Sequence, residues 1–411
     1  MTKAEIIDAA FKVWGRNFYK KTSLSQLASE LKVSKPALYR HFQSKNALNA
    51  AMIESFLDDF SSYVQNDFQK ALQTEDTDEG ISTIIRSISS FFAKNAYALI
   101  FSLMNIYDRN LDGRTFAQKL KSRGADMETL QIVIQKKYES GTTHIRLIFA
   151  TLTFFMSHFH KTKKALETPL SLDDINKITS FICAKITHGL GYSGENSLID
   201  FDILEKRIEA SMPNYEPEPF FKAVAEAVAE AGPWNVSMDM VAKKLGMSKS
   251  SLYGHFKNKK DMLRRLFLTE FKRILEYSRQ GISKSANSTE QLFLGIYSYA
   301  VYLRSRPEIL VAMDWIRTRK LDLGKPDKNM EIFRLFEDVN IENLQNASND
   351  EKQLISHWIL FLLLNILIHP FEQVSLEAVS SEKNEDISNE HNGSIRLLYK
   401  FIILGLGGFK R

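Results

Sequence analysis

The apolar positions of the chain recur at helical spacing. Leu48, Met52, Phe56, Phe60, Val64, Phe68 and Leu72 follow one another at intervals of four, with Asp, Glu, Gln and Asn among the residues between, which predicts one long amphipathic helix. Ahead of it, Ile6, Ile7, Ala10, Phe11 and Trp14 mark the stripe of an opening helix that ends near Asn17-Phe18. Beyond it, Ile84, Ile88, Phe91 and Phe92 continue the pattern, then Leu130, Ile132, Val133 and Ile134, then Leu147 to Phe159 and Ile175 to Ile186. No run alternates with period two between hairpin turns, so the pattern predicts an all-α fold. Trp358 to Ile368 is apolar on every side. It is eleven residues long and contains Asn365. That is short of the roughly 20 residues that span a bilayer, and it predicts a helix buried all round at a subunit-like interface.

Cap signals divide the stretch between the opening helix and the long one. Ser23 with Gln26 three residues on has the form of a capping box, starting a short helix through Leu31. Val33-Ser34 reads as a turn, and Ser34 caps a third helix running Lys35-Pro36-Ala37-Leu38-Tyr39-Arg40-His41. Pro36 costs little there, because first-turn amides lack intrahelical partners. Ser44 caps the long helix. Two short helices joined by a tight turn make a helix-turn-helix, whose second helix can lie in a major groove. Leu38 and Phe42 supply its inward face, while Lys35, Tyr39, Arg40 and His41 offer donors to phosphates and base edges.

The chain contains this arrangement twice. A shift of 214 residues aligns Thr22 to Lys45 with Val236 to Lys259 without a gap, and ten of the 24 positions are identical. Chance would supply about one or two. The identities include Ser23/Ser237, Ser34/Ser248, Lys35/Lys249, Leu38/Leu252, Tyr39/Tyr253, His41/His255, Phe42/Phe256 and Lys45/Lys259, and Asn258 takes the capping place of Ser44. Gly189-Leu190-Gly191 is echoed by Gly405-Leu406-Gly407 at an offset of 216, so the spacing holds across a whole repeat. Two full modules follow, with Ser193 to Pro219 between them reading as a linker on account of Pro213, Glu216, Pro217, Glu218 and Pro219. The expected division is a head over residues 1–46, a body over 47–193, a linker over 194–219, a second head over 220–262 and a second body over 263–411.

The 411 residues, 44% apolar and 25% charged, have ordinary globular composition, which excludes collagen, extended disorder and a disulfide-stapled scaffold. The net charge of +5 names no partner by itself. Its distribution does: residues 1–48 hold nine Lys/Arg against three Asp/Glu, and residues 217–265 hold nine against five. Positive charge therefore concentrates on the two heads, where phosphate would be met. Cys183 is the sole cysteine and the N-terminal residues carry acids inside what would be a signal-peptide core, so a cytoplasmic protein without membrane contact is expected.

Ser-Lys-Pro-Ala-Leu-Tyr-Arg-His-Phe-Gln-Ser-Lys at 34–45, preceded by Ser-Leu-Ser-Gln-Leu-Ala at 23–28, resembles the DNA-binding signature of the TetR family of transcriptional regulators. Ser-Lys-Ser-Ser-Leu-Tyr-Gly-His-Phe-Lys-Asn-Lys at 248–259 resembles it again, and the two heads that carry these signatures make up about a quarter of the chain. The resemblance implies a three-helix head that binds a double-stranded operator and a larger helical body that dimerises and binds a small-molecule effector, whose identity and site the sequence does not disclose. It implies that effector binding changes the separation of two heads, as in a repressor. Two fused modules would pack body to body as a pseudo-dimer within one chain, a homodimer being the other arrangement.

The DNA-contacting set expected in the first head is Ser23, Ser25, Gln26, Ser34, Lys35, Pro36, Ala37, Tyr39, Arg40, His41 and Lys45. In the second it is Ser237, Ser248, Lys249, Ser250, Ser251, Tyr253, His255 and Lys259. The heads differ at Pro36/Ser250, Ala37/Ser251 and Arg40/Gly254, the last losing a charge and about 1 kcal/mol of helix propensity. Asp239 stands where the first head has Ser25, so the second head is expected to bind more weakly or to read a different half-site. In its opening helix Ala225 and Val228 replace Phe11 and Trp14, with Trp234 as a candidate filler. The competing reading is a ligand-binding or interaction protein that keeps the fold while one or both heads no longer read DNA.

Other chemistry is sparse. His158-Phe159-His160 sends two rings in divergent directions, poor geometry for one ion, so His144, His158, His160 and His188 read as pocket or surface histidines and no metal is expected. No Gly-rich phosphate loop, zinc-spaced cysteine set or nucleophile elbow occurs, so neither a cofactor nor an enzyme is expected. The 28 Phe form cores first and line an apolar effector pocket second.

Overall fold

The computed structural model describes residues 2–17, 23–107, 113–191, 199–210, 218–306, 308–310, 336, 339, 344, 347–373 and 384–410. Among the described residues every regular element is helical. The chain divides into two compact units, Met1–Thr187 and His188–Phe409.

The first unit opens with α1 (Lys3–Asn17), α2 (Leu24–Glu30) and α3 (Lys35–His41), which feed the long α4 (Lys45–Gln73). Ile6, Ala10, Val13 and Trp14 of α1, Leu24, Leu27 and Ala28 of α2, and Leu38 and Phe42 make the small core of the head. The body continues through α5 (Thr77–Lys94), α6 (Ala96–Tyr107), α7 (Gly113–Lys121), α8 (Glu128–Gln135), α9 (Thr142–Thr162) and α10 (Leu172–His188). The stripe on α4 stays buried from Leu48 to Phe68, whereas Leu72 is 39% exposed. Each four-residue step advances about 40° around a helix, so the seven positions cannot share one face. They remain covered because α1, α5, α7 and α8 all pack against α4, and the cover runs out in its last turn, where Ala71 is buried instead. Ile132 likewise faces outward while Leu130, Val133 and Ile134 face the core.

The second unit repeats the plan. Its head is α12 (Pro219–Asn235), α13 (Met238–Lys244) and α14 (Lys249–His255), followed by the long α15 (Lys259–Ile282) and by α16 (Ser288–Arg304) packed along it. Ala225 and Val228 are fully buried where the first head has Phe11 and Trp14. Trp234 lies in α12 rather than in the following turn, and its side chain is outside the described residues. The body ends with α17 (Asn349–Gln373), α18 (Asn384–Leu404) and a 3-10 turn at Gly405–Phe409.

The segment expected as a linker contains a helix, α11 (Phe201–Glu209). Asp200 caps it, Leu204 and Ile208 are buried against α16, and the buried Glu205 receives hydrogen bonds from Arg396 of α18 at 2.7 Å. The proline-rich part of the segment, residues 211–217, falls outside the described residues.

Helix α17 extends well beyond its apolar run. Asn349–Ile368 forms a 20-residue span of mean hydropathy 1.3, long and apolar enough to cross a membrane by those measures alone. Trp358, Ile359, Leu362, Leu363, Ile366 and Leu367 are nevertheless buried inside the second unit, where α16 and α18 pack against the helix. Within the same unit the two Gly-Leu-Gly echoes meet. Leu190 donates its N–H to the carbonyl of Ile402 at 2.8 Å, and Gly189, at φ +58°, lies so close to Gly405 that a Cβ would sit 2.6 Å from its nitrogen.

Candidate nucleic-acid interface

Each head is shaped by the same three caps. Ser23 and Gln26 form a reciprocal capping box, Gln26 N–H to Ser23 Oγ at 3.2 Å and Ser23 N–H to Gln26 Oε1 at 2.7 Å. Ser34 accepts from the Ala37 N–H at 3.3 Å and Ser44 from Ala47 at 3.0 Å. In the second head Ser237 accepts from Met240, Ser248 from Ser251 at 3.0 Å and Asn258 from Asp261 at 2.9 Å. Five of the expected DNA-contacting residues, Ser23, Gln26, Ser34, Ser237 and Ser248, thus place their side-chain polar groups on helix ends.

The turn between the short helices is one residue earlier than Val33-Ser34. It is a Schellman motif. Val33 N–H bonds to Ala28 O at 2.9 Å and Lys32 N–H to Ser29 O, with Lys32 at φ +53°. The second head closes the same way, Met247 to Ala242 and Gly246 to Lys243, with Gly246 at φ +64°. Left-handed backbone suits Gly and is strained for Lys. The repeat itself carried this signal: Lys32 and Gly246 are in register at the offset of 214.

With the turn fixed and Leu38 buried, α3 presents Lys35, Pro36, Tyr39 and Arg40 to solvent, Tyr39 at 42% exposure, while Ala37 and His41 are half-buried. Ser25 is exposed on the N-terminal turn of α2. Lys35 Nζ stands 6.0 Å from the Tyr39 ring centroid and has no carboxylate partner among the described residues. Helix α14 presents Lys249, Ser250, Ser251, Tyr253 and His255 in the same way around the buried Leu252. Lys45 and Lys259, at the first turn of each long helix, are half-buried, and burial holds both ammonium groups below the ordinary lysine range.

The two surfaces differ in charge. Lys249 Nζ is 2.8 Å from Asp239 Oδ2, an ion pair with both partners more than half exposed. That hydrogen bond raises the Lys249 ammonium above its ordinary value. A Cβ on Gly254 would meet nothing within 4 Å, so the space that Arg40 occupies on the first head is open on the second. Elsewhere the second head exchanges signs: Lys244 pairs with Glu230 at 2.6 Å and Glu226 at 3.6 Å, and in register the first head has Glu30, Arg16 and Lys12.

The bodies differ more. In the first, Phe56 of α4 packs with Phe60, Phe91, Phe92, Phe101 and Phe116, and Phe101 makes an edge contact with Phe11 of the head at 4.8 Å. At the position of Phe56 the second body has Glu270, and at that of Phe91, aligning α5 and α16 on their caps Asp76 and Asn287, it has Tyr302. Glu270 is fully buried and accepts from Tyr302 Oη at 2.8 Å and from Arg273 at 3.2 Å. The buried Arg306 completes the network, 3.4 Å from the carboxylate and 4.3 Å over the Tyr302 ring. A polar cleft of about 500 Å³ opens at the α8–α9 junction, lined by Gln135, Tyr138, Glu139, Ser140, Gly141 and His144. Among the described residues no group of His, Cys, Asp and Glu has metal-holding geometry. His160 is buried, and desolvation pushes its imidazole down to about 4.

Comparison with known proteins matches the heads twice. The family model for bacterial regulatory proteins of the tetR family fits residues 6–52 and again 221–266. The chain is 26% identical over 137 residues to the HTH-type transcriptional repressor ComR of Escherichia coli (strain K12), a match covering 33% of this chain and 64% of that protein. It is 25% identical over 133 residues to the fatty acid metabolism regulator protein of Bacillus subtilis (strain 168), covering 31% of this chain and 68% of that one. The TetR family transcriptional regulator PfmR from Thermus thermophilus aligns over 44% of this chain and 95% of its own, at 20% identity and a TM-score of 0.34. The repeated caps, the repeated outward-facing recognition helices and the repeated family match show that the chain carries two tandem helix-turn-helix modules of the tetR family.

Proposed function

We propose that the chain is a cytoplasmic repressor whose two heads bind one operator with unequal half-sites, held by bodies that pair within the chain and respond to a small-molecule effector. The observation that carries this reading is the pair of recognition helices, each capped by the same serine and each turning Lys and Tyr outward from a basic head. The heads differ at Pro36/Ser250, Ala37/Ser251 and Arg40/Gly254, which sets the half-sites apart. Repression is supported by the name of the Escherichia coli relative. Intrachain pairing is supported by the equal length of the modules and by the meeting of the two Gly-Leu-Gly segments within the second unit. Module boundaries near 46, 193, 219 and 262 belong to the same proposal.

Selection of bound sequences from a random duplex library tests it at once. The expected product is a site with two dissimilar halves, bound with affinity that falls steeply as salt rises, and weakened by Lys35→Ala with Tyr39→Ala. Recovery of no enriched sequence, with binding indifferent to both substitutions, would refute operator recognition by the first head. The ion pair on Lys249 and the open space at Gly254 favour a second reading, in which only the first head still reads bases; enrichment of a single half-site would be its outcome.

A further inference from the structure

We propose that Asp239 sets the division of labour between the heads, by holding Lys249 away from the phosphate backbone so that the second head contributes weakly until that pair opens. This rests on the DNA-binding reading above and deepens it. Three observations converge. The carboxylate lies on the first turn of α13 and reaches the first residue of the recognition helix, Nζ to Oδ2 2.8 Å. Both side chains are exposed, 52% and 62%, so the pair sits on the outer surface of the head and not in its core. In the first head the equivalent lysine, Lys35, has no such partner among the described residues, because Ser25 stands at the position of Asp239.

The physical consequence is specific to a polyanionic partner. A lysine that neutralises a phosphate releases a condensed counterion, and each such contact steepens the fall of log K with log salt by about 0.9. Lys249 already has its counter-charge in Asp239, so a phosphate must displace the carboxylate, and after displacement the carboxylate remains beside the backbone as a repulsive charge. An exposed pair of this kind is weak, so it attenuates the contact without abolishing it. The loss of an arginine at Gly254 acts in the same direction on the same helix, and the open space there shows that packing does not demand glycine. Asp239 is therefore a specificity-determining residue through its effect on Lys249. It reserves tight binding for duplexes in which the first head is satisfied.

The test uses the full chain and a random-sequence duplex long enough to seat both heads, titrated at several salt concentrations. Asp239→Asn keeps the shape and removes the charge. Affinity at low salt is expected to rise about threefold, and the salt slope to steepen by about 0.9. Lys249→Ala should do little in the natural chain yet cancel the gain in the Asp239→Asn chain. Carrying Lys35→Ala and Tyr39→Ala as background isolates the second head, where Asp239→Asn should restore salt-dependent binding. Unchanged or weaker binding of Asp239→Asn in both backgrounds overturns the proposal, as does weakening confined to duplexes with one particular base pair, which would make Asp239 a base reader. Absence of salt-dependent binding by the natural chain would instead count against the DNA-binding function; a gain on Asp239→Asn would still uphold the role of Asp239, and no gain would remove both.

Discussion

At the turn of the first head a lysine holds backbone that glycine holds in the second. Lys32 at φ +53° and Gly246 at φ +64° close equivalent Schellman motifs with matching hydrogen bonds, so the two sites form an internal comparison. A side chain in left-handed backbone costs about 1 kcal/mol, against which glycine brings extra unfolded-state entropy. Lys32→Gly is expected to change the stability of the first unit by less than about 1 kcal/mol in the stabilising direction, and Gly246→Ala to destabilise the second by about 1 kcal/mol. Urea midpoints would measure both, and a stabilising Gly246→Ala would contradict the assignment. The exchange is readable in the sequence only once the two copies are aligned, because a lone lysine gives no sign of its backbone angle.

A second residue-scale consequence concerns acid. His160 is about 95% buried, with 5% of its surface accessible, and the backbone of Phe92 is the polar group that faces its ring. Desolvation lowers its imidazole from 6.5 to about 4, and the backbone of Phe92 works weakly in the other sense. The unfolded chain therefore binds a proton near 6.5 that the folded chain accepts only near 4. Stability is complete above that window and falls as pH drops through it, by about 3 kcal/mol at most from this residue. Burial lowers His144 and His158 as well, so they add to the same slope. His160→Leu should flatten the dependence of unfolding free energy on pH between 6.5 and 4 by close to one proton; an unaltered slope would show that the ring is not desolvated in solution.

The elements of the heads are legible because short helices depend on their ends. Ser23, Ser34 and Ser44, with Ser237, Ser248 and Asn258, fix where each helix starts, and each makes the hydrogen bond that its position promises. Helix α11 is harder to see although its signals are ordinary: Asp200 as cap, then Phe201, Leu204 and Ile208 at helical spacing. The neighbouring prolines dominate the local pattern, and the partner that makes Glu205 tolerable, Arg396, is 191 residues away in the chain. Glu270 is hidden for a related reason. Local pattern assigns a glutamate to the outside of a helix, and only Tyr302 and Arg306 at the C-terminal end of α16 and just beyond it make burial possible. Desolvating such a pair costs as much as its attraction returns unless geometry is very good. Removing one partner is different, since it strands the other. Glu270→Ala is expected to destabilise the second unit by about 3–5 kcal/mol, whereas Glu270→Phe combined with Arg306→Leu, which imitates the aromatic arrangement around Phe56, should come within about 2 kcal/mol of the natural chain. Chemical denaturation of the two variants decides it, and equal losses from both would mean that the network acts only through its volume.

At the scale of the whole molecule, the modest net charge of +5 conceals two basic heads and acidic remaining parts, and the repeat at 214 residues turns an ordinary length into two modules in tandem. A two-fold protein usually reads a palindrome because its heads are identical. Here the halves are free to diverge, and they have done so in opposite sectors: the first body around Phe56 is aromatic, the second around Glu270 is ionic, while the Tyr and His of the recognition helices are kept. That pattern is what independent pressure on two bodies and shared pressure on two heads would leave. It makes a stoichiometric prediction. If the bodies pair within one chain, light scattering gives a one-chain mass that does not rise with concentration across the range used for binding. Titration of a duplex carrying both half-sites then saturates at one chain per duplex. Moving one half-site by half a helical turn places it on the opposite side of the duplex and should cost most of the affinity, since a single chain cannot follow it. A two-chain mass at low concentration, with saturation at two chains per duplex and indifference to the half-turn shift, would replace the intrachain pair by an intermolecular one and leave the two heads of each chain serving separate sites.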